Sequence, residues 1–222
     1  MLAGTDVDPT YRASALRLLR TSTTELGLVI DSARRLIAAS PENTTVQAEA
    51  VACFAAAGLW REINRTSIAD VLAADTTTTM HRSLARARTG GATTARDLIV
   101  GHINDPAADL AADPARLADL VAFARDTIAD RAGLADIVEA ALATTEHAFT
   151  YHSVYLETAE ATANPQLAAR VFDAIFNSTP TERPATVMQV ETRLLEAGLV
   201  NFLLLVWTGQ WECQGLTGPG GC

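Results

Sequence analysis

Apolar residues recur in this chain every three to four positions and almost nowhere every two. Leu16, Leu19, Leu26, Val29, Ile30, Ala33, Leu36 and Ile37 form one such stripe near the start, and that spacing traces one face of an α-helix. The residues around the stripes agree: alanine makes up nearly a fifth of the chain, alongside many leucines and arginines, and these favour helices. The Asn-Gly and Asp-Gly dipeptides that close β-hairpins are absent. A chain with this pattern is expected to be all-α and multi-helical.

Punctuation divides the helices. Pro9 opens a first helix over 9–39, which Ser40-Pro41 ends. A second is expected over 45–62, with Val46, Ala50, Phe54 and Ala57 inward. A short helix over 68–74 precedes one over 76–88, for which Asp75 is the natural N-cap. The loop Thr89-Gly90-Gly91 follows, then a helix over 95–103. Further helices start at Pro114, run through Leu134, Ile137, Val138, Ala141, Tyr151 and Tyr155 as one long element, open at Asn164-Pro165, and span 185–207. Gly133 is read as a junction. The glycine-rich end holds two copies of Thr-Gly-x-x-x-Cys, at 208–213 and 217–222, and is expected to be a loose tail. The domain reading is an N-terminal helical extension (1–44), a small head (45–104), a larger helical domain (105–209) and the tail (210–222).

Composition removes several kinds of chemistry. The chain has 222 residues, a net charge of −9, and no lysine among its 17 basic residues, so Schiff-base and P-loop lysine chemistry are out. Its three cysteines, Cys53, Cys213 and Cys222, make no disulfide framework. His147 and His152 are five apart, about 140° around a helix, which is poor for shared metal ligation. There is no Gly-x-Ser-x-Gly elbow, no HExxH and no phosphate-cradling glycine loop. The expectation is a protein that is not an enzyme and needs no cofactor. The N-terminus carries acids and no apolar stretch, which reads as cytoplasmic. The apolar run over 197–207 falls far short of the about 20 residues that span a bilayer.

One constellation carries a positive hypothesis. Residues 66–88 read as a short apolar helix, a tight turn and a capped second helix, the layout of a helix-turn-helix. Ala69 is small where the two helices would cross, and Ile68, Val71, Leu72, Met80 and Leu84 are apolar anchors. Thr76, Thr77, Thr78 and Thr79 would enter the major groove, followed by His81, Arg82 and Arg86, and arginine can read guanine through two hydrogen bonds. Residues 60–96 hold six arginines against three acids, and 76–96 contain no acid at all. A basic segment on an acidic protein is the footprint of a DNA-binding face.

Phe54-Ala-Ala-Ala-Gly58, Ser67-Ile-Ala-Asp-Val, Asp75 and the threonine run, with Arg96-Asp97-Leu98 and Ala163-Asn-Pro-Gln-Leu-Ala-Ala-Arg170 further on, resemble the tetracycline-repressor (TetR) family over about residues 45–209. The stretch between Gly58 and Ser67 is longer than in that family, and Met80 stands where its recognition helix usually has an aromatic. The resemblance implies a homodimeric transcriptional regulator that binds double-stranded DNA, responds to a small apolar ligand and dimerises through the helix ending at Trp207. His147, Tyr151 and Tyr155 are the candidate ligand-binding residues, since clustered aromatics with a few polar groups suit a pocket. The alternative is a helical interaction or scaffold protein that does not bind DNA.

Overall fold

The computed structural model describes residues 8–66, 75–128, 130–146, 148, 150–177 and 192. Among them there are ten α-helices, one short 3-10 turn and no strand, so the fold is all-α. The helices are α1 (Pro9–Ser22), α2 (Leu26–Ala39), α3 (Thr44–Ala56), α4 (Trp60–Arg65), α5 (Thr76–Arg88), α6 (Ala92–Ile103), α7 (Pro114–Thr127), α8 (Arg131–Thr144), α9 (His152–Thr162) and α10 (Pro165–Asn177). The expectations for the short helix at 68–74, the helix over 185–207, the tail and His147 lie outside the described residues.

Most of these helices start on an Asp or Asn whose side chain accepts from the first free amides. Asn43 accepts from the Val46 amide at 3.0 Å, Asp75 from Thr78 at 2.7 Å and Asp113 from Arg116 at 3.1 Å. Asn164 does the same for Gln166 and Leu167 ahead of α10. Each contact satisfies a donor that the helix itself cannot.

Three long helices anticipated from periodicity are each two. The first breaks at Thr23, which is extended, and its hydroxyl accepts from the Glu25 amide. Just before it, the Thr21 and Ser22 hydroxyls donate back to the carbonyls of Arg17 and Leu18. A run of hydroxyl residues offers the backbone such alternatives to the helical ladder. The second breaks at Gly58, in the left-handed region at φ 68°. There the Leu59 amide reaches back to the Phe54 carbonyl and the Gly58 amide to Ala55, the paired bonds of a glycine C-terminus. Gly90 ends α5 in the same way. The third breaks after Thr144, where Thr145 turns extended. Gly133 is no junction: it lies in the first turn of α8, where a Cβ would come 3.4 Å from the Arg96 side chain.

Two hydrophobic cores result. Ala13, Leu16, Val29, Ala33, Leu36, Val46, Phe54 and Ile63 build the first, between α1, α2, α3 and α4. Ile99, Leu117, Leu120, Val121, Ile137, Val138, Leu156, Leu167 and Phe172 build the second, from α6 to α10. Helix α5 belongs to both: Ala85 sits in the first core, while Met80 and Ala87 pack on the second. The first two helices are therefore part of the N-terminal core, where the sequence reading made 1–44 a separate extension, and the 45–104 stretch divides between the two cores.

Because α5 is held from several sides, its N-cap matters to the whole fold. Asp75→Ala is expected to lower unfolding stability by about 1 kcal/mol, and Asp75→Asn by much less because it keeps the acceptor. Urea denaturation of the two variants checks this.

Candidate nucleic-acid interface

Helix α5 is the element on which DNA recognition would depend, and most of its circumference is occupied. It packs against α3, α4, α6 and α7. Thr76, Thr78 and Thr79 are 6%, 2% and 3% exposed, so while α5 stays packed they cannot reach a base edge; of the four threonines only Thr77 is exposed. The Thr76 hydroxyl lies 2.9 Å from Nε2 of the buried His102 on α6. Ser83 and Ala85 are also buried. By the 3.6-residue period, Thr77, Leu84 and Arg88 share the open side. Threonine suits a buried helix face as well as a solvated one, because its hydroxyl can bond to its own backbone and its methyl packs. Composition alone could not tell the two apart.

The arginines fall into two groups. Those away from α4 and α5 are mostly held by carboxylates. Arg17 and Arg20 both donate through Nε to Glu49, at 3.0 and 2.9 Å. Arg34 pairs with Glu62, Arg96 with Asp97 and Asp136, and Arg125 with Glu157 and Asp126; Arg170 pairs with Glu139. On α4 and α5 the pattern changes. Among the described residues no carboxylate lies within ion-pair distance of Arg61, Arg65, Arg82, Arg86 or Arg88. Arg35 on α2 and Arg131 on α8 share this condition. Helix α4 packs on α5, with Asn64 donating to Thr89 Oγ1 at 3.0 Å. Arg65 edges a shallow groove over Ile37 and Phe54.

Arg82 and Arg86 are four apart on one face of α5 and both are half-buried. Burial lowers the Arg82 pKa, and the neighbouring Arg86 charge lowers it further. A half-buried cation next to a like charge lacks a counter-ion that an anion could supply.

A charge that no sequence motif marks is buried beneath this region. Glu49, 4% exposed, stands between the two α1 arginines on the inner face of α3. His81 faces the same cluster. Burial lowers its pKa and the Arg20 charge adds to that, while Asp75 and Glu49 pull the other way. Cys53, one turn from Glu49, is fully buried; desolvation first, then Glu49, pushes its thiol up to about 11. A carboxylate four positions before an inward cysteine, on a helix this rich in alanine, was the available clue.

The candidate ligand-binding tyrosines sit in the second core. Tyr155 is fully buried and its phenol is pushed up to about 12 by desolvation, while Tyr151 is partly buried against the same core. Among the described residues no group of three or more His, Cys, Asp and Glu side chains could hold a metal ion, and no helix is long and apolar enough to cross a membrane.

Two predictions follow from the buried groups. His81 has a folded pKa below its unfolded value, so the unfolded chain binds more protons as pH falls towards and below about 6.5. Stability should therefore drop between pH 7.5 and 5.5, and His81→Gln should flatten that slope in urea midpoints. In a Cys213→Ser/Cys222→Ser chain, a thiol reagent at pH 8 should leave Cys53 unlabelled until denaturant is added, since the thiolate is the reactive form.

No family model, no curated protein and no solved structure matches this chain. The likeness to the tetracycline repressors rests on the quoted residues alone.

Proposed function

We propose that this protein binds double-stranded DNA through its phosphates, using Arg82 and Arg86 of α5 together with Arg61 and Arg65 of α4, and performs no chemistry on it. The observation that carries this reading is the Arg82–Arg86 pair: half-buried, like-charged and, among the described residues, without a carboxylate within ion-pair distance, whereas most of the described arginines away from α4 and α5 are held by acids. Guanidinium matches phosphate geometry and gives two parallel hydrogen bonds. Several arginines over two packed helices suit a continuous line of phosphates better than one small anion. The acidic remainder of the chain repels DNA and so orients the approach.

Phosphate contacts position a protein on the duplex, whereas base contacts specify sequence. With Thr76, Thr78 and Thr79 buried, the reading favours binding with weak sequence preference. A ligand-responsive homodimeric regulator is its fuller form, and it requires α5 to offer base-reading side chains beyond Thr77. A second reading, a helical interaction protein that ignores DNA, is favoured by the exposed apolar residues on α1 and α2.

The test is a titration with random-sequence duplex at several salt concentrations. Wild type should lose affinity steeply as salt rises. In Arg82→Ala/Arg86→Ala the slope of log K against log salt should shrink by about 2, since each phosphate contact contributes about 0.9. No binding at low salt, or the same slope in the variant, rejects the proposal; self-association without DNA binding would favour the second reading.

A further inference from the structure

The left-handed turn at Gly58 redirects the chain from α3 into α4. Both α2 and α4 pack on α3, and across the gap between them Arg34 Nη2 donates to Glu62 Oε1 at 2.7 Å. A groove of about 250 Å³ lies beside that ion pair. Ile37 and Ala38 of α2 and Phe54 of α3 supply its apolar side, and Arg34, Glu62 and Arg65 supply the polar one. An apolar surface facing a few polar groups is the general makeup of a small-molecule site.

The charges around the groove do not balance. Glu62 stands three positions before Arg65 on α4, the spacing at which ion pairs form along a helix. It pairs with Arg34 instead. Arg65 is exposed, and among the described residues no carboxylate lies within ion-pair distance of it. Arg34 thus diverts Glu62 and leaves the groove with one uncompensated guanidinium beside an apolar surface.

That combination selects a chemistry. A hydrated dianion leaves the apolar side unused, an uncharged apolar molecule leaves Arg65 without a partner, and a cation meets it as a like charge. A monoanion with a hydrocarbon body answers both features. Its carboxylate accepts two parallel N–H bonds from the guanidinium, and its body takes the surface of Ile37, Ala38 and Phe54 out of water. Size follows from volume. A water molecule occupies about 30 Å³ in the liquid, so the groove holds a ligand of about eight to ten non-hydrogen atoms.

We propose that this groove binds a small aliphatic carboxylic acid in its ionised form, of about eight carbons, with Arg65 holding the carboxylate and Ile37, Ala38 and Phe54 covering the chain. Arg34 is a positioning residue that keeps Glu62 away from Arg65. The site does not depend on DNA binding, and a chain that ignores DNA would still take up the acid.

The test is calorimetric titration of the full-length chain with sodium octanoate at pH 7.5. One site per chain should saturate by about 5 mM, as suits a ligand of this size. Acetate, octanamide and octylammonium should each bind at least about five-fold more weakly. Arg65→Gln should weaken octanoate at least about five-fold, and so should Ala38→Trp, which fills the groove from an exposed position. Neither substitution opens a core. Arg88→Gln, at an exposed arginine of α5 that also lacks a carboxylate, should leave binding within about two-fold of wild type. Arg34→Gln should weaken binding at least about three-fold by freeing Glu62 to neutralise Arg65, and adding Glu62→Gln should restore it.

Absence of saturable octanoate binding to the wild type overturns the proposal whatever the variants do. Binding that survives both Arg65→Gln and Ala38→Trp places the acid elsewhere and also overturns it. Equal binding of octanamide or octylammonium removes the carboxylate from the reading, and an equal loss in Arg88→Gln reduces the effect to diffuse attraction by arginines; either result overturns it. A loss in Arg34→Gln that Glu62→Gln leaves unrestored overturns the role given to Arg34.

Discussion

Two hydrophobic cores close on helix α5, and they can do so because that helix is narrow. Its buried positions are Thr76, Thr78, Thr79, Ser83 and Ala85, all small side chains that let α3, α4, α6 and α7 approach its backbone. Bulky aliphatics at those positions would hold the neighbouring helices apart, and close-packed interiors do not absorb such volume without strain. The Thr76 hydroxyl finds a partner in His102, whereas the Ser83 hydroxyl is buried without one, a cost that the close approach of the neighbouring helices offsets. The close approach of α3, α4, α6 and α7 depends on this helix being thin, and Asp75 caps its start.

The same constraint decides where charge can go. With most of α5 enclosed, its long side chains must leave through the gaps between the packed helices. Arg82 and Arg86 come out half-buried, in a stretch where the sequence supplies no acid from 76 to 96. Away from α4 and α5, most of the described arginines have a carboxylate partner, and on α1 two of them share a single one, Glu49. A cation that the fold leaves without a counter-ion is a natural place for an anionic ligand. The proposed interface is thus a by-product of the packing and does not require a dedicated recognition helix. Cys53 and His81 report the other side of that packing: burial keeps one a thiol and favours the neutral form of the other.

Local rules made much of the fold legible. The three-to-four spacing marked the helices, Asp75 was recognisable as a cap, and Gly90-Gly91 was recognisable as the end of α5. These features act within one turn of chain. The breaks at Thr23 and Thr145 were harder, because hydroxyl residues are compatible with both a helix and its interruption. The apolar stripe continues through Gly58, and the positive φ that ends α3 there has no counterpart in hydrophobic periodicity.

What the sequence determined by itself is the helical class, the Asp75 cap and the absence of acids between 76 and 96, since all three are properties of short stretches of chain. Only the tertiary structure decided which side of α5 faces inward and which arginines meet a carboxylate. The threonine run reads as a polar surface in sequence and lies inside the fold, because threonine carries a methyl and a hydroxyl on one short stem and suits either environment. Its burial follows from four neighbouring helices, which no local pattern in 76–88 encodes. The pairing of Arg17 and Arg20 with Glu49, roughly thirty positions away, depends in the same way on contacts that form only when α1 packs on α3.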